Sequence, residues 1–224
     1  MEQGFTNFHT KLILRIKKVP VITKIETQKN KSRVNIFVDD SFFCGLNKET
    51  AILFGLKENQ DVDEEKLKSA IFESEVKSAF EKALDYLGRR MYSKHELFDR
   101  LIKKGYEKDV IEKAIEKLEE YRYVDDKLFA KQFAGSNSKV SKRILQGKLI
   151  QKGISSDIIP EIIEERTPEM EYELCLEQAR KYLRSKTVND INSIQKMQAS
   201  LARKGFDFDI IKKVCKETLM IEED

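Results

Sequence analysis

The sequence predicts a mostly α-helical protein: three tandem three-helix repeats in an elongated curved array, preceded by a small β-containing N-terminal unit. Three observations carry this. First, 36% of the 224 residues are charged and 40% are apolar, against roughly 25% and 45–50% in ordinary globular domains. A core that thin for its length suits several small helical layers that each bury a face on a neighbour. Second, alternating β-branched residues occur only before residue 62. Third, a gapless repeat runs through the remainder.

Residues 1–18 read as a tail, expected to be partly disordered. Residues 19–62 read as three short strands and a helix. The first strand spans 19–26, and a polar turn at 28–32 follows. In 33–38, Val34, Ile36 and Val38 alternate with Arg33, Asn35 and Phe37, as a strand with one buried face requires. After a turn at Asp39, Asp40 and Ser41, residues 42–46 supply the third strand. Asn47 is placed to cap a short helix running to Leu56, with Ala51, Ile52 and Phe54 as apolar positions and Gly55 near its end.

From residue 63 the period changes to that of a helix. A charged segment to residue 90 carries Leu67, Ile71, Phe72, Val76, Phe80, Ala83, Leu84 and Leu87 as one stripe. Residues 93–115, 141–163 and 193–215 then superpose without gaps. Leu97, Leu145 and Met197 coincide, as do Leu101, Leu149 and Leu201. Lys104-Gly105, Lys152-Gly153 and Lys204-Gly205 follow, then Tyr106, Ile154 and Phe206, then Asp109, Asp157 and Asp209. Each position has a local reason. Ser93, with Glu96 three residues on, makes a capping box. The leucines lie four apart on one face. Lysine in a last turn suits the helix dipole, and the glycine after it can take the left-handed conformation that ends a helix. The aspartate falls near the next helix start. A third helix precedes each pair: the end of the 63–90 segment, then one from residue 127, then 170–186. The expected limits are 63–124 for the long helix and first repeat, 125–167 for the second and 168–224 for the third.

Lys+Arg number 42 and Asp+Glu 39, a net +3, yet the signs alternate along the repeats. Residues 87–104 hold six bases and two acids, 127–160 seven and one, and 178–204 seven and one. The stretches between, 107–126 and 161–177, are acidic. Arg89, Arg90, Lys142, Arg143, Lys148, Lys152, Arg203 and Lys204 are the candidate contact residues, able to meet phosphates or an acidic protein surface. The bland alternative is a solvated face, with Arg89 and Arg90 paired to Glu81 or Asp85. Tyr121, Tyr123 and Phe133 read as core, with base stacking as the sharper alternative. Asp39-Asp40 and Asp125-Asp126 read as turn and cap residues.

Two histidines and three widely spaced cysteines, Cys44, Cys175 and Cys215, match no metal or redox pattern, so the cysteines are expected to be reduced packing residues. Phosphate-loop, dinucleotide, zinc-protease and nucleophile-elbow motifs are missing from the sequence. The reading is a non-enzyme without cofactor or metal. No apolar run reaches bilayer length and no secretory layout opens the chain, so a soluble cytoplasmic monomer without membrane partners is expected.

At residues 83–97 (ALDYLGRRMYSKHEL), 101–106 (LIKKGY) and 123–130 (YVDDKLFA) the chain resembles the RecX family, bacterial regulators of the RecA recombinase. The resemblance covers about 83–217, and more weakly the β-containing segment. Residues 134–143 carry fewer arginines than family members often do there. The resemblance implies a non-enzymatic regulator that binds the RecA filament on single-stranded DNA, limits its growth and lowers its ATPase and strand exchange, with direct DNA contact as a further implication. A stand-alone nucleic-acid-binding repeat module and a helical scaffold for another protein are the alternatives.

Overall fold

The computed structural model describes residues 19–185 and 191–220. The expected tail of residues 1–18 lies outside them. Four strands are followed and interrupted by helices in the order β1 (Val21–Thr27), β2 (Arg33–Val38), β3 (Ser41–Asn47), α1 (Lys48–Leu53), β4 (Gln60–Asp61), α2 (Glu64–Leu87), α3 (Lys94–Ile102), α4 (Lys108–Glu120), α5 (Asp126–Ser136), α6 (Lys142–Gln151), α7 (Ile159–Glu164), α8 (Pro168–Ser185), α9 (Ile191–Arg203) and α10 (Phe208–Met220). The chain divides into two compact units. Among the described residues, one holds those up to Tyr86 and Arg100–Glu120, the other Leu87–Asp99 and those from Tyr121 on.

In the first unit the strands form an antiparallel sheet in the order β3-β2-β1-β4. Its β2–β3 hairpin turns on Asp39 and Asp40, both left-handed at φ 48° and 63°. Two such residues in a two-residue loop match the twist of the strands they join. Val34, Ile36 and Val38 point to the buried side with Ile22 and Leu46, where Ala51 and Ala70 complete the core. The sheet has four strands where three are expected. β4 is two residues long, pairing Gln60 with Ile22 and Asp61 with Val21, too short to leave a periodic trace.

Asn47 occupies the position before α1, but its side chain makes no cap. Its amide instead donates to the Ser74 carbonyl at 3.1 Å, while its main-chain N–H donates to Ser74 Oγ at 2.7 Å. Thus a residue suited to starting α1 fastens the sheet to α2. Ile52, expected as apolar packing, is 68% exposed. Along α2 the buried positions include Ala70, Ser74 and Ala79 beside Leu67, Val76 and Ala83. These small residues let α2 approach its neighbours closely. Val76 and Ala79 meet Val110 and Ala114 of α4, with Phe72, Phe80 and Tyr106 packed around them.

The repeat is visible in burial. Leu97, Leu101, Leu145, Leu149, Met197 and Leu201 are all at or below 1% exposed. Each first helix ends alike: Gly105, Gly153 and Gly205 have φ of 91°, 71° and 82°. The next residue's N–H reaches back to the carbonyl of Leu101, Leu149 or Leu201, at 3.3, 3.1 and 3.4 Å. That is the six-to-one bond of a Schellman cap. In the second unit, Phe129, Leu145, Leu149, Ile154, Ile159 and Ile162 form one core. Cys175, Leu176, Met197, Leu201, Phe206, Ile211 and Cys215 form another.

Two local departures have physical causes. α7 has six residues against thirteen in α4 and α10: Pro160 has no N–H to donate to Ser156, which disfavours an earlier start, and Pro168 opens α8 four residues after α7 ends. Asp157 consequently sits in the turn before α7. Ser193 lies inside α9, so the third copy of the repeat lacks the serine N-cap.

Candidate functional site

The site builds from the ends of the first helices. Ser141 caps α6 by accepting the Ile144 N–H at 3.4 Å, and its hydroxyl donates to the Lys204 carbonyl at 2.6 Å. Ser93 repeats both bonds, accepting from the Glu96 N–H at 3.1 Å and donating to the Lys152 carbonyl at 2.6 Å. The residue after each serine also finds an acid. The Lys94 N–H meets Asp126 and the Lys142 N–H meets Glu171, both at 2.9 Å. Each junction therefore sets the N-terminus of one repeat's first helix on the Lys-Gly turn that ends the next repeat's first helix. The glycine side of that turn is filled: a Cβ on Gly153 would lie 2.2 Å from His95 Cβ, and one on Gly205 2.6 Å from Ser141 Oγ and 3.4 Å from Arg143 Cβ.

At the first junction Glu96 does not reach back to complete a capping box. Its carboxylate takes both guanidinium nitrogens of Arg90, at 3.1 and 3.2 Å, and the ammonium of Lys152 at 2.6 Å. Arg90 lies 3.6 Å over the Tyr92 ring, and Lys152 5.8 Å from the Phe133 ring centroid. Burial pushes the Glu96 carboxyl upward, but the hydrogen bonds from Arg90 and Lys152 outweigh it and hold the group below the usual carboxylate range. The expected pairing of Arg90 with Glu81 or Asp85 is replaced by this pairing with Glu96.

At the second junction Ile144 stands where Glu96 would be. A buried pair supports it instead: Arg166 donates to the carbonyls of Val140 and Asn137 and lies 3.7 Å from Glu171. Arg143, Arg203 and Lys204 are exposed. Among the described residues none of the three makes an ion pair; Lys204 Nζ donates to Gln178 Oε1. Arg143 lies beside the Lys204-Gly205 turn.

The eight candidate residues thus separate. Arg89, Arg143, Arg203 and Lys204 face outward. Arg90 and Lys152 share one internal carboxylate. Lys148 is half-buried, with Nζ on Asn137 Oδ1 at 2.8 Å, and Lys142 is half-buried at the α6 start. Phe133 packs beside Phe129, ring centroids 5.8 Å apart. Tyr121 and Tyr123, expected in the core, are 65% and 55% exposed. Helical periodicity gives no signal for them because they occupy a turn. Asp125 caps α5 through the Leu128 N–H. The three cysteines are free thiols, with burial raising Cys44 and Cys175 to about 12, so none is poised as a nucleophile. No helix among the described residues is long and apolar enough to cross a membrane.

Schellman-capped helix pairs, preceded in the chain by a small antiparallel sheet, define a helical-repeat protein. Residues 20–63 match the description "Regulatory protein RecX N-terminal domain", 79–118 "RecX, first three-helix domain" and 169–215 "RecX, third three-helix domain". The chain is 35% identical over 208 residues to Regulatory protein RecX of Clostridioides difficile (strain 630), covering 91% of this chain and 98% of that one. It is 34% identical over 198 residues to the Bacillus subtilis (strain 168) protein of the same name, covering 86% and 75%. A crystal structure of regulatory protein RecX superposes with TM-score 0.70 at 26% identity, over 87% of this chain and 98% of that one. The chain belongs to the RecX family of regulatory proteins. RecX from Lactobacillus salivarius, at 24% identity and TM-score 0.59 over 64% of this chain and 96% of that one, shares the fold.

Proposed function

We propose that this protein regulates the RecA recombinase by binding its filament on single-stranded DNA, and that it inhibits filament growth, ATP hydrolysis and strand exchange. The observation that carries the reading is alignment with regulatory RecX proteins along nearly the whole chain. The protein acts by binding, without catalysis or cofactor, as a cytoplasmic monomer. Arg89, Arg143, Arg203 and Lys204 are its outward cationic contacts, and several modest contacts on successive repeats reinforce one another through effective concentration. Substoichiometric protein should lower RecA's DNA-dependent ATPase and shorten its filaments. Unchanged ATPase, filament length and strand exchange would defeat the reading.

The grouping of Arg143 with Lys204 at one junction favours a second reading, direct single-stranded DNA binding without RecA. Oligonucleotide affinity that falls steeply with salt in the absence of RecA would support it.

A further inference from the structure

We propose that the turn Tyr121-Arg122-Tyr123 is an interaction hot spot for a protein surface, the recombinase filament of the reading above, on which this inference rests. Both tyrosines project outward, 65% and 55% exposed, with ring centroids 6.3 Å apart and planes inclined at 57°. Arg122 between them is left-handed at φ 58°, a conformation that side chains other than glycine, asparagine and aspartate seldom adopt. It stands two residues past the end of α4, where helices commonly turn left-handed, and so fixes the path of the turn. The turn is also anchored: Val124 behind it is 5% exposed, and Asp125 caps α5 by accepting the Leu128 N–H at 2.9 Å. Leu128 itself is 48% exposed. Two aromatic side chains presented on a fixed turn lose little freedom when covered.

The residue types choose the partner. Tyrosine and arginine dominate the energetic centres of protein interfaces. A polyanion needs net positive charge, and this stretch offers little. Arg122 and Lys127 stand against Asp125 and Asp126, and the Lys127 ammonium is already 2.7 Å from a Glu161 oxygen. The cations suited to phosphate are those of the Arg143–Lys204 junction. The occupant of the tyrosine turn is therefore a protein surface offering an apolar hollow for the rings and acceptor oxygens for Arg122.

The test uses the full chain with two variants, Y121S/Y123S and R122G. Three quantities are measured: the melting temperature, affinity for RecA filaments on single-stranded DNA, and affinity for a fluorescent oligothymidine without RecA. The double variant should melt within a few degrees of the parent and bind filaments at least about tenfold more weakly, with oligothymidine affinity kept within about twofold. R122G, in which glycine takes the left-handed backbone freely, should keep its stability and lose filament affinity several-fold. Filament affinity equal to the parent's in both variants overturns the inference. So does a parallel loss of oligothymidine affinity, which would assign the rings to base stacking. A parent protein that does not bind the filament refutes the functional reading and this inference together, whereas a binding parent with equal variants refutes this inference alone.

Discussion

The Ser141 hydroxyl donates to the main-chain carbonyl of Lys204, 63 residues away, at 2.6 Å, while its oxygen accepts the Ile144 N–H. One side chain thus starts α6 and satisfies a carbonyl left open where α9 ends. Ser141 is 1% exposed, so its removal leaves polar groups that water cannot easily reach. S141A should destabilise the protein by about 2 kcal/mol, combining a lost N-cap with a lost buried hydrogen bond. The urea midpoint should fall at unchanged slope. A shift of a few tenths of a kcal/mol would show the bond to be incidental.

The three repeat glycines share a left-handed backbone but have different surroundings, which ranks their alanine variants. G105A has open space and meets only the backbone penalty, about 1 kcal/mol. G205A adds contact with Ser141 Oγ at 2.6 Å and Ile144 Cγ1 at 3.0 Å. G153A drives its methyl into His95 at 2.2 Å from Cβ, and overpacking of that kind adds roughly 1–3 kcal/mol more. The order of stability should be G105A, then G205A, then G153A, read from chemical denaturation. Equal losses at all three sites would mean that backbone strain alone matters.

Much of this is legible in the sequence, and the division is physical. Leu97, Leu101, Lys104 and Gly105 act within one helix and its cap, so spacing alone identifies them in every copy. The bond from Ser93 to the Lys152 carbonyl is different: every residue type has a carbonyl, and nothing in the side chain of Lys152 marks it as acceptor. The same limit hides Asn47's attachment to Ser74 behind a plausible N-cap. Glu96 reads as half of a capping box because spacing reveals the candidate acceptor but not Arg90 and Lys152, which compete for it from outside the helix. Tyr121 and Tyr123 sit in a turn, where periodicity has no power to tell buried from exposed.

Glu96 should make stability depend on pH. Its native carboxyl lies below the usual range, so its contribution is present above the ordinary glutamate value of about 4.3 and is lost as pH falls through the depressed native value. E96Q should cost about 1 kcal/mol at neutral pH. That is below the roughly 1.5–3 kcal/mol of hydrogen bonds to a charged group, because the Arg90 side chain is 46% exposed and solvent screens the pair. The difference between parent and E96Q should shrink as pH is lowered below about 4. A gap that stays constant down to about pH 3 would remove the Arg90–Glu96–Lys152 cluster from the account.

Charge reversal should separate binding residues from folding residues. Arg143 and Arg203 are exposed and make no ion pair among the described residues, so R143E and R203E should leave the melting temperature within a few degrees. If they meet phosphate, oligonucleotide affinity should drop, and its logarithmic salt dependence should shallow by about 0.7 for each phosphate of a single strand that is no longer neutralised. K152E behaves oppositely. It places a second carboxylate against Glu96, whose oxygen now lies 2.6 Å from the Lys152 ammonium, and should lower the melting temperature clearly. Its loss of binding, if any, should then track the folded fraction. Should R143E and R203E bind filaments and oligonucleotide as the parent does, the outward cations of this junction are not the binding surface, and other residues must supply it.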